Sequence, residues 1–204
     1  MNGGGYMSKQ KKNVNKDIVI DTTLNMIEEN NGIKNVNLRE IAKKVGCAHT
    51  NLYNYFNSLD EIFWESLAKA LILMIEYVES KFMTYEVSED RFFSMISGII
   101  EFSTQHTGWY KLIWIETMNG CQSPEVDLIL TKPSQIFNTE LMKANNNQLS
   151  LEQAQKISNI LHSYLHGELC MWIHNRSNID DMQDFQQCLL KNMKSLYQVL
   201  IKNL

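Results

Sequence analysis

The stretch Asn37–Phe56 constrains the fold of this chain of 204 residues more than any other feature of its sequence. In its first half, apolar residues recur at i, i+3, i+4 and i+7, the spacing of a short helix with one buried face: Leu38, Ile41, Ala42 and Val45. Asn37 stands at the N-cap position and Glu40 follows three residues later, as in a capping box. Gly46 then predicts a tight turn, because glycine reaches a positive φ without a Cβ clash.

The second half of this stretch predicts another short helix with two different sides. At about 100° per residue, Ala48, Leu52 and Phe56 share an inner side. The opposite side is polar and carries His49, Thr50, Tyr53 and Asn54. Two short helices joined by a glycine turn form a helix-turn-helix, whose second helix can enter the major groove of DNA. Side chains of these types can bond to base edges and phosphates, although a solvated helix face is the alternative reading.

Composition indicates an all-α protein without membrane spans. The chain has only two prolines, Pro124 and Pro133, and its apolar residues recur mostly at helical spacing. No run of about 18 apolar residues occurs, so a transmembrane helix is excluded on length. The first residues, up to Lys16, lack the apolar core of a secretory signal. Scattered cysteines fit neither a metal site nor a disulfide framework, so we predict reduced thiols in a cytoplasmic protein: Cys47, Cys121, Cys170 and Cys188.

Charge is distributed unevenly along the chain, whose net charge is −4. Residues 1–57 hold eight Lys/Arg against five Asp/Glu, whereas residues 58–204 hold eleven against eighteen. A positive first quarter on an acidic body indicates contact with a polyanion at one end only. The positive excess of residues 1–57 is modest. Half of the positive charges in residues 1–57 come from one short segment: Lys9, Lys11, Lys12 and Lys16.

Helical periodicity continues through the rest of the chain. It predicts helices over about Asn15–Asn30, Ser58–Met83, Ser88–Gln105, Trp109–Met118, Ser150–Asn175 and Asp180–Asn203. Another helix opens at Pro124, is kinked or interrupted at Pro133, and resumes through Met142. Ser58 and Glu61 repeat the capping-box spacing at the start of the longest of these helices, which would extend roughly 39 Å.

These elements predict three segments. Residues 1–16 form a disordered basic arm, and residues 17–57 form a three-helix DNA-binding domain that contains the helix-turn-helix. Residues 58–204 form a larger helical domain for ligand binding and dimerisation. Its first helix would connect the two domains. Wide apolar stripes on the last two helices predict a four-helix dimer interface, at which Gly167 would allow close approach; a roof over the monomer core is the alternative.

The stretch from Val19 to about Ala70 resembles the N-terminal domain of the TetR family of transcriptional regulators. The resemblance rests on Val19-Ile20-Asp21, Leu24, Gly32, Asn37-Leu38-Arg39-Glu40-Ile41-Ala42, Val45-Gly46, Leu52-Tyr53-Asn54-Tyr55-Phe56, Ser58 and Asp60-Glu61-Ile62. It covers about a quarter of the chain. It implies an all-helical dimer whose variable C-terminal domain usually binds a small molecule.

Carried over residue by residue, the resemblance predicts the contacts with DNA. His49, Thr50 and Asn51 would meet base edges or the groove, with Asn54 on the same exposed side. Tyr53, Tyr55 and the cap residue Asn37 would touch phosphates. Three departures matter: Leu59 replaces a phosphate-binding lysine, Ala48 replaces a capping serine or threonine, a cap often worth about 1 kcal/mol, and the first helix is one residue longer before Gly32.

Aromatic residues and methionines are dense between Phe92 and Trp172, and they predict an apolar effector cavity with a few polar anchors. Plain core packing is the alternative for each of them. The candidate lining is Phe92, Met95, Phe102, Trp109, Tyr110, Trp114, Met118, Phe137, His162 and His166. Such a lining would favour a hydrophobic or aromatic effector.

His162 and His166 lie at i, i+4, a spacing that can chelate a metal. No third ligand is apparent, because His174 is rotated away from them and His106 is distant in sequence. We therefore predict a histidine pair of a pocket or interface, with no metal and no cofactor. No catalytic signature occurs, so the chain is not predicted to be an enzyme.

The sequence thus favours a ligand-responsive regulator, a repressor that binds a pseudo-palindromic operator as a homodimer. Its effector would move the helix Ser58–Met83 and change the separation of the two recognition helices. The alternative is a helical small-molecule-binding protein or enzyme that keeps the N-terminal unit for structure only. The sequence identifies neither the effector nor the operator.

Overall fold

The structure is a computed structural model that describes residues 14–202. In this part of the chain the regular elements are helices: α1 Lys16–Glu29, α2 Leu38–Val45, a 3₁₀ helix His49–Asn54, α3 Leu59–Phe82, α4 Glu89–Gln105, α5 Thr107–Trp114, α6 Pro124–Ala144, α7 Leu151–Ile173 and α8 Met182–Lys202. The predicted all-α class is confirmed. Residues 1–13 of the predicted basic arm and the predicted last helical residue, Asn203, lie outside the described residues.

Side-chain caps fix the starts of several helices. The side chains of Asn15, Asn37 and Ser58 accept hydrogen bonds from backbone N–H groups in the first turns of α1, α2 and α3. Ahead of α7, Ser150 and Gln153 form a complete capping box. The boxes predicted at α2 and α3 keep only their first half. The Glu61 carboxylate accepts from the backbone N–H of Asn57 at 2.6 Å rather than closing the box.

Two apolar cores hold the helices together, and α3 contributes to both. The first core joins α1, α2, the 3₁₀ helix and the start of α3, and it takes Leu112 from α5. The second core joins the end of α3 to α4, α6, α7 and α8. On α3, Ile62 and Leu67 belong to the first core, whereas Met74 and Phe82 belong to the second. A displacement of α3 would therefore change the packing of both cores.

Two helices differ from their predicted form. Pro133 is predicted to kink or interrupt its helix, and the interruption is wrong, because α6 is continuous from Pro124 to Ala144. A proline removes only one N–H group, so a long helix can continue through it, and a kink at Pro133 stays a prediction. The helix predicted over Trp109–Met118 spans Thr107–Trp114 instead. It begins earlier because the Glu28 carboxylate of α1 accepts from the backbone N–H of Trp109, 3.1 Å away, and so caps its first turn.

No helix in the described part of the chain is both long enough and apolar enough to cross a membrane.

Candidate nucleic-acid interface and ligand cavity

Gly46 shapes the turn of the helix-turn-helix. It adopts the left-handed conformation, with φ 86° and ψ 35°, and ends α2. Its N–H and that of Cys47 both donate to the Ala42 carbonyl at 2.9 Å, so the turn closes on the last turn of α2. Open space surrounds the position where a Cβ would lie. The glycine is therefore required by backbone conformation and not by crowding.

The recognition segment is a 3₁₀ helix, His49–Asn54, and not the α-helix that the 100° spacing assumed. Ala48 precedes it without a side-chain cap, and the first bond runs from the Asn51 N–H to the Ala48 carbonyl, three residues back. Leu52 and Phe56 are buried as predicted. The inner position predicted for Ala48 is wrong, because this residue precedes the first turn and is exposed.

The polar residues of the recognition segment share one exposed surface: His49, Thr50, Asn51, Tyr53 and Asn54. Tyr53 is 55% exposed. Tyr55 differs, because it is half-buried and its hydroxyl donates to the Val14 carbonyl at 2.7 Å. This hydrogen bond attaches Tyr55 to the segment that precedes α1. Lys16, at the start of α1, makes a second contact with this part of the chain, with Nζ 5.3 Å from the centre of the Phe56 ring.

Asn37 and Leu59 line the same shallow groove. The side-chain oxygen of Asn37 accepts from the N–H groups of Arg39 and Glu40 at 3.1 Å, so its amide nitrogen is the atom that could meet a phosphate. Leu59 is half-buried against the N-terminal core and lines a shallow groove with Asn37 and Arg39. Arg39 is exposed there and supplies a positive charge that Leu59 lacks.

A cavity of about 40 Å³ lies between α3, α4, α5, α6 and α7. Five of the predicted lining residues surround it: Met95, Trp114, Phe137, His162 and His166. The sequence reading missed the remaining lining, which is Met74, Ile75, Val78, Glu79, Phe82, Ile99, Pro133, Ile136 and Leu165. The lining residues on α3 belong to an apolar stripe with helical periodicity. This periodicity indicates which face of the helix is buried, but it does not tell whether that face packs in the core or lines a cavity.

The other five predicted lining residues lie elsewhere. Phe92 is buried against the rings of Phe93, Phe137 and Tyr197, and Phe102 packs against Tyr77 and His106. Met118 is half-buried against the N-terminal core. Trp109 and Tyr110 lie on α5 beside the cavity, where each makes a hydrogen bond to another helix.

His162 and His166 form a polar spot in this apolar lining. The Tyr110 hydroxyl lies 2.7 Å from Nδ1 of His166, and the His166 ring packs against Trp114 with centroids 4.6 Å apart. His162 meets Phe137 edge to face at 4.2 Å. Burial and the neighbouring His162 lower the pKa of His166 to about 4, and burial lowers the pKa of His162. Both histidines are therefore neutral at pH 7.

The histidines do not extend into a metal site. Across residues 14–202, no group of three or more His, Cys, Asp or Glu residues is placed to hold a metal ion.

Helix α5 connects the cavity to the helix-turn-helix domain. On one side, Trp109 donates from Nε1 to the Leu24 carbonyl at 2.9 Å, and Thr107 donates to the Asn31 side chain at 3.1 Å. Gly108 packs directly on the backbone of α1. At the other end of the same helix, Trp114 lines the cavity.

An apolar stripe on the outer face of α7 is partly exposed to solvent. Ile160 and Met171 are 37% and 45% exposed, and Gly167 lies between them. Open space surrounds the position where a Cβ of Gly167 would lie. Another helix could approach closely there.

Comparison with known proteins places this geometry in context. No protein-family model matches the chain. Among curated proteins, the chain is 23% identical over 119 residues to an uncharacterized HTH-type transcriptional regulator of Haemophilus influenzae. The match covers 58% of this chain and spans 58% of the length of that relative.

Solved structures share the fold over nearly the whole chain. A protein of unknown function from Rhodococcus sp. RHA1 has a TM-score of 0.76 at 11% identity, covering 94% of this chain and 97% of its own. A TetR-family transcriptional regulator from Streptomyces coelicolor has a TM-score of 0.68 at 12% identity, covering 93% and 90%. The transcriptional regulator FadR from Bacillus subtilis, in complex with stearoyl-CoA, has a TM-score of 0.62 at 16% identity, covering 93% and 100%. The chain has the fold of the TetR-family transcriptional regulators, and the resemblance seen in its sequence is confirmed.

Proposed function

We propose that the chain is a ligand-responsive transcriptional regulator. It acts as a repressor in the cytoplasm, binds a pseudo-palindromic operator as a homodimer and is released by a hydrophobic or aromatic small molecule. One observation carries the proposal: the cavity is lined by α3 and α5, and both helices pack on the domain that exposes the recognition segment.

The exposed polar surface supplies the contacts for DNA. His49, Thr50, Asn51 and Asn54 would contact base edges, since imidazole, hydroxyl and amide groups can read them. Tyr53 and the amide nitrogen of Asn37 would bond to phosphates. We assign Tyr55 a different task, because its hydroxyl already binds Val14 and so fixes the chain that leads into α1.

Binding of an effector in the cavity would release the protein from DNA. Its volume of about 40 Å³ is far below the roughly 300–1,000 Å³ of most ligand sites, so an effector must enlarge it. Enlargement would displace Met74, Val78 and Phe82 of α3, and Trp114 of α5. Because both helices also pack on the N-terminal core, the displacement would reach the recognition segment. To move a 1:99 population to 99:1, the effector must prefer one conformation by about 5.5 kcal/mol.

The fold neighbour FadR from Bacillus subtilis is in complex with stearoyl-CoA, whose acyl chain is apolar. An apolar effector for the present chain agrees with that example and rests on the cavity lining.

The stripe on α7 supports the homodimer. Two copies of Ile160, Gly167 and Met171 would face each other across a two-fold axis, with the glycines allowing close approach. A dimer would place two recognition segments on adjacent turns of one duplex, as a palindromic site requires.

The proposal is tested by fluorescence anisotropy on DNA from the neighbouring promoter. Several phosphate contacts should make the affinity fall steeply between about 50 and 200 mM salt. An affinity that ignores salt over this range would show that phosphates do not anchor the protein, and the proposed function would then fail.

Substitution of Tyr53 by phenylalanine should weaken DNA binding at least about tenfold for every DNA sequence. The change removes one hydroxyl that would bond to a charged phosphate, an interaction worth about 1.5–3 kcal/mol. Anisotropy titrations of operator and unrelated duplexes measure the effect.

Tyr55→Phe is the matched control, because its hydroxyl is engaged with Val14. We expect it to lower stability by about 1 kcal/mol, with a smaller loss of DNA affinity than Tyr53→Phe. His49→Ala should instead relax the preference at one base position. Equal losses of affinity for Tyr53→Phe and Tyr55→Phe would contradict the assignment of Tyr53 to a phosphate.

Substitution of Met171 by glutamate should weaken the dimer by about tenfold or more. The change places a charge against its own copy in an apolar interface, where it has no partner. Sedimentation equilibrium measures the dissociation constant. Leu128→Glu is the control, since Leu128 is 69% exposed on α6. A protein that stays dimeric with Met171→Glu would exclude this face of α7 from the interface.

A second candidate is a small-molecule-binding protein or enzyme that keeps the N-terminal unit for structure only. It is favoured by Leu59, which places no positive charge where the family has a lysine. Ligand binding without salt-dependent DNA binding would support it.

A further inference from the structure

We propose that the cavity selects an uncharged apolar ligand with one hydrogen-bond-accepting oxygen, such as an aryl ketone, and that Nε2 of His166 donates to this oxygen. The inference names the ligand class of the proposed effector site and rests on that function.

The hydrogen bond from Tyr110 determines the tautomer of His166. Tyr110 is 1% exposed, and burial raises the pKa of its phenol well above the usual value, so the phenol keeps its proton. Its oxygen lies 2.7 Å from Nδ1 of His166, and the Cys170 thiol is its other neighbour. An imidazole nitrogen accepts more strongly than sulfur, so the phenol donates to Nδ1. The proton of the neutral ring then belongs to Nε2.

The donor at Nε2 is available to a ligand. His166 lines the cavity, and its ring packs against Trp114 and stands perpendicular to His162, with centroids 5.7 Å apart. Within residues 14–202, the Nδ1 contact with Tyr110 is the hydrogen bond that this ring makes. We infer that Nε2 faces the cavity, because the ring lines it and Nδ1 is turned to Tyr110 of α5. An unpaired donor among apolar side chains is unfavourable, and a ligand oxygen would pair with it.

The charges around the cavity disfavour ionic ligands. His162 and His166 are neutral, so they offer no cation to a carboxylate. Glu79, on α3, is the acidic member of the lining and would repel an anion. An ammonium group has no lone pair to accept the Nε2 proton, and it would lose its hydration among apolar side chains, a cost that attraction to Glu79 would have to exceed.

The remaining lining suits a ring or short chain. Met74 and Met95 adapt to different shapes, and Phe137 can pack against an aromatic ring. The cavity of about 40 Å³ has room for roughly one water molecule, so movement of these side chains must accompany binding.

Four probes that share a phenyl ring separate the head groups: acetophenone, ethylbenzene, benzoate and benzylamine. Binding to the full chain is followed at about pH 7.5 by isothermal titration calorimetry. We expect acetophenone to bind about fivefold more tightly than ethylbenzene, from one neutral hydrogen bond. Benzoate and benzylamine should bind at least about tenfold more weakly than ethylbenzene, because their charges lose hydration.

His166→Phe should make acetophenone and ethylbenzene bind equally, while ethylbenzene still binds. His162→Phe is the matched control and should preserve the preference, since it leaves His166 and Tyr110 in place. If His166→Phe does not fold, Tyr110→Phe serves instead, because the loss of its hydroxyl frees the tautomer and should reduce the preference for acetophenone.

Tightest binding by benzoate or benzylamine would overturn the proposal, as would a preference that survives in His166→Phe. Binding of none of the four probes would overturn it too, since the cavity would then not accept the proposed ligand class. The proposed function is judged separately from DNA binding, so a ligand preference without DNA binding would defeat that function alone.

Discussion

Replacement of Glu140 by alanine is expected to lower the free energy of unfolding by about 3–5 kcal/mol. Glu140 of α6 accepts from Nε of Arg91 at 2.8 Å and from Nη2 at 3.3 Å, and Arg91 lies at the start of α4. The two side chains are only 6% and 10% exposed. Removal of the carboxylate would leave a buried guanidinium without its charge partner, and a buried charge without compensation is strongly destabilising.

Chemical denaturation monitored by circular dichroism measures this loss. Lys143→Ala is the control, because Lys143 contacts the same carboxylate at 2.9 Å but is 38% exposed. An exposed ion pair contributes at most about 1 kcal/mol. Equal losses for Glu140→Ala and Lys143→Ala would show that burial of the Arg91 pair is not the source of its stability.

The same carboxylate gives the stability a pH dependence. Burial acts to raise the pKa of Glu140, but hydrogen bonds from Arg91 and Lys143 outweigh it and hold the pKa below its usual value of 4.5. Because the folded pKa is the lower one, the contribution is fully present above pH 4.5 and is lost as the pH falls through the folded pKa. Glu140→Ala should lack this loss of stability as the pH falls below 4.5.

The ion pair also supports one end of the cavity. Arg91 donates to the Tyr85 carbonyl at 3.2 Å, and its guanidinium lies 5.0 Å from the centre of the Phe82 ring. Phe82 ends α3 and lines the cavity. Arg91 therefore ties the end of α3 at Phe82 to Glu140 of α6, so displacement of Phe82 by an effector would disturb this buried ion pair.

Features encoded by neighbouring residues could be predicted from the sequence. The cap at Asn37 and the turn at Gly46 depend on residues within a few positions, and both appear in the structure. The exposed side of the recognition segment was also predicted. Its 3₁₀ form was not, because apolar spacing fixes the buried side chains Leu52 and Phe56 without distinguishing two helical forms of only six residues.

Features that depend on distant partners could not be predicted. Arg91 and Glu140 are 49 residues apart. The sequence around each of them contains no pattern that indicates a buried ion pair. Glu28 caps α5 from 81 residues away, so the start of that helix was misplaced. The division of aromatic residues between cavity and core has the same origin. Phe92 and Phe137 have equal apolar character, and only the packing of α4 and α6 decides which one faces the cavity.

The contact between α1 and α5 leads to the second large effect: Gly108→Ala should destabilise the protein by about 1–3 kcal/mol and reduce its response to ligand. A Cβ at Gly108 would lie 2.6 Å from the Ile27 carbonyl oxygen and 2.7 Å from Cα of Glu28. Both are backbone atoms, so α5 itself must move away from α1. That movement would stretch the bond from the Trp109 N–H to Glu28 and break the path from the cavity to the N-terminal domain.

Denaturation and the change of DNA affinity on addition of acetophenone test both parts of this expectation. Gly98→Ala is the control, since a Cβ there would meet Cα of Val78 at 3.4 Å, an ordinary contact, and alanine favours a helix by up to about 1 kcal/mol. If Gly108→Ala kept the full ligand response while losing stability, the signal would not pass through α5. Displacement of α3 by its cavity-facing residues, Met74, Val78 and Phe82, would then have to carry it alone.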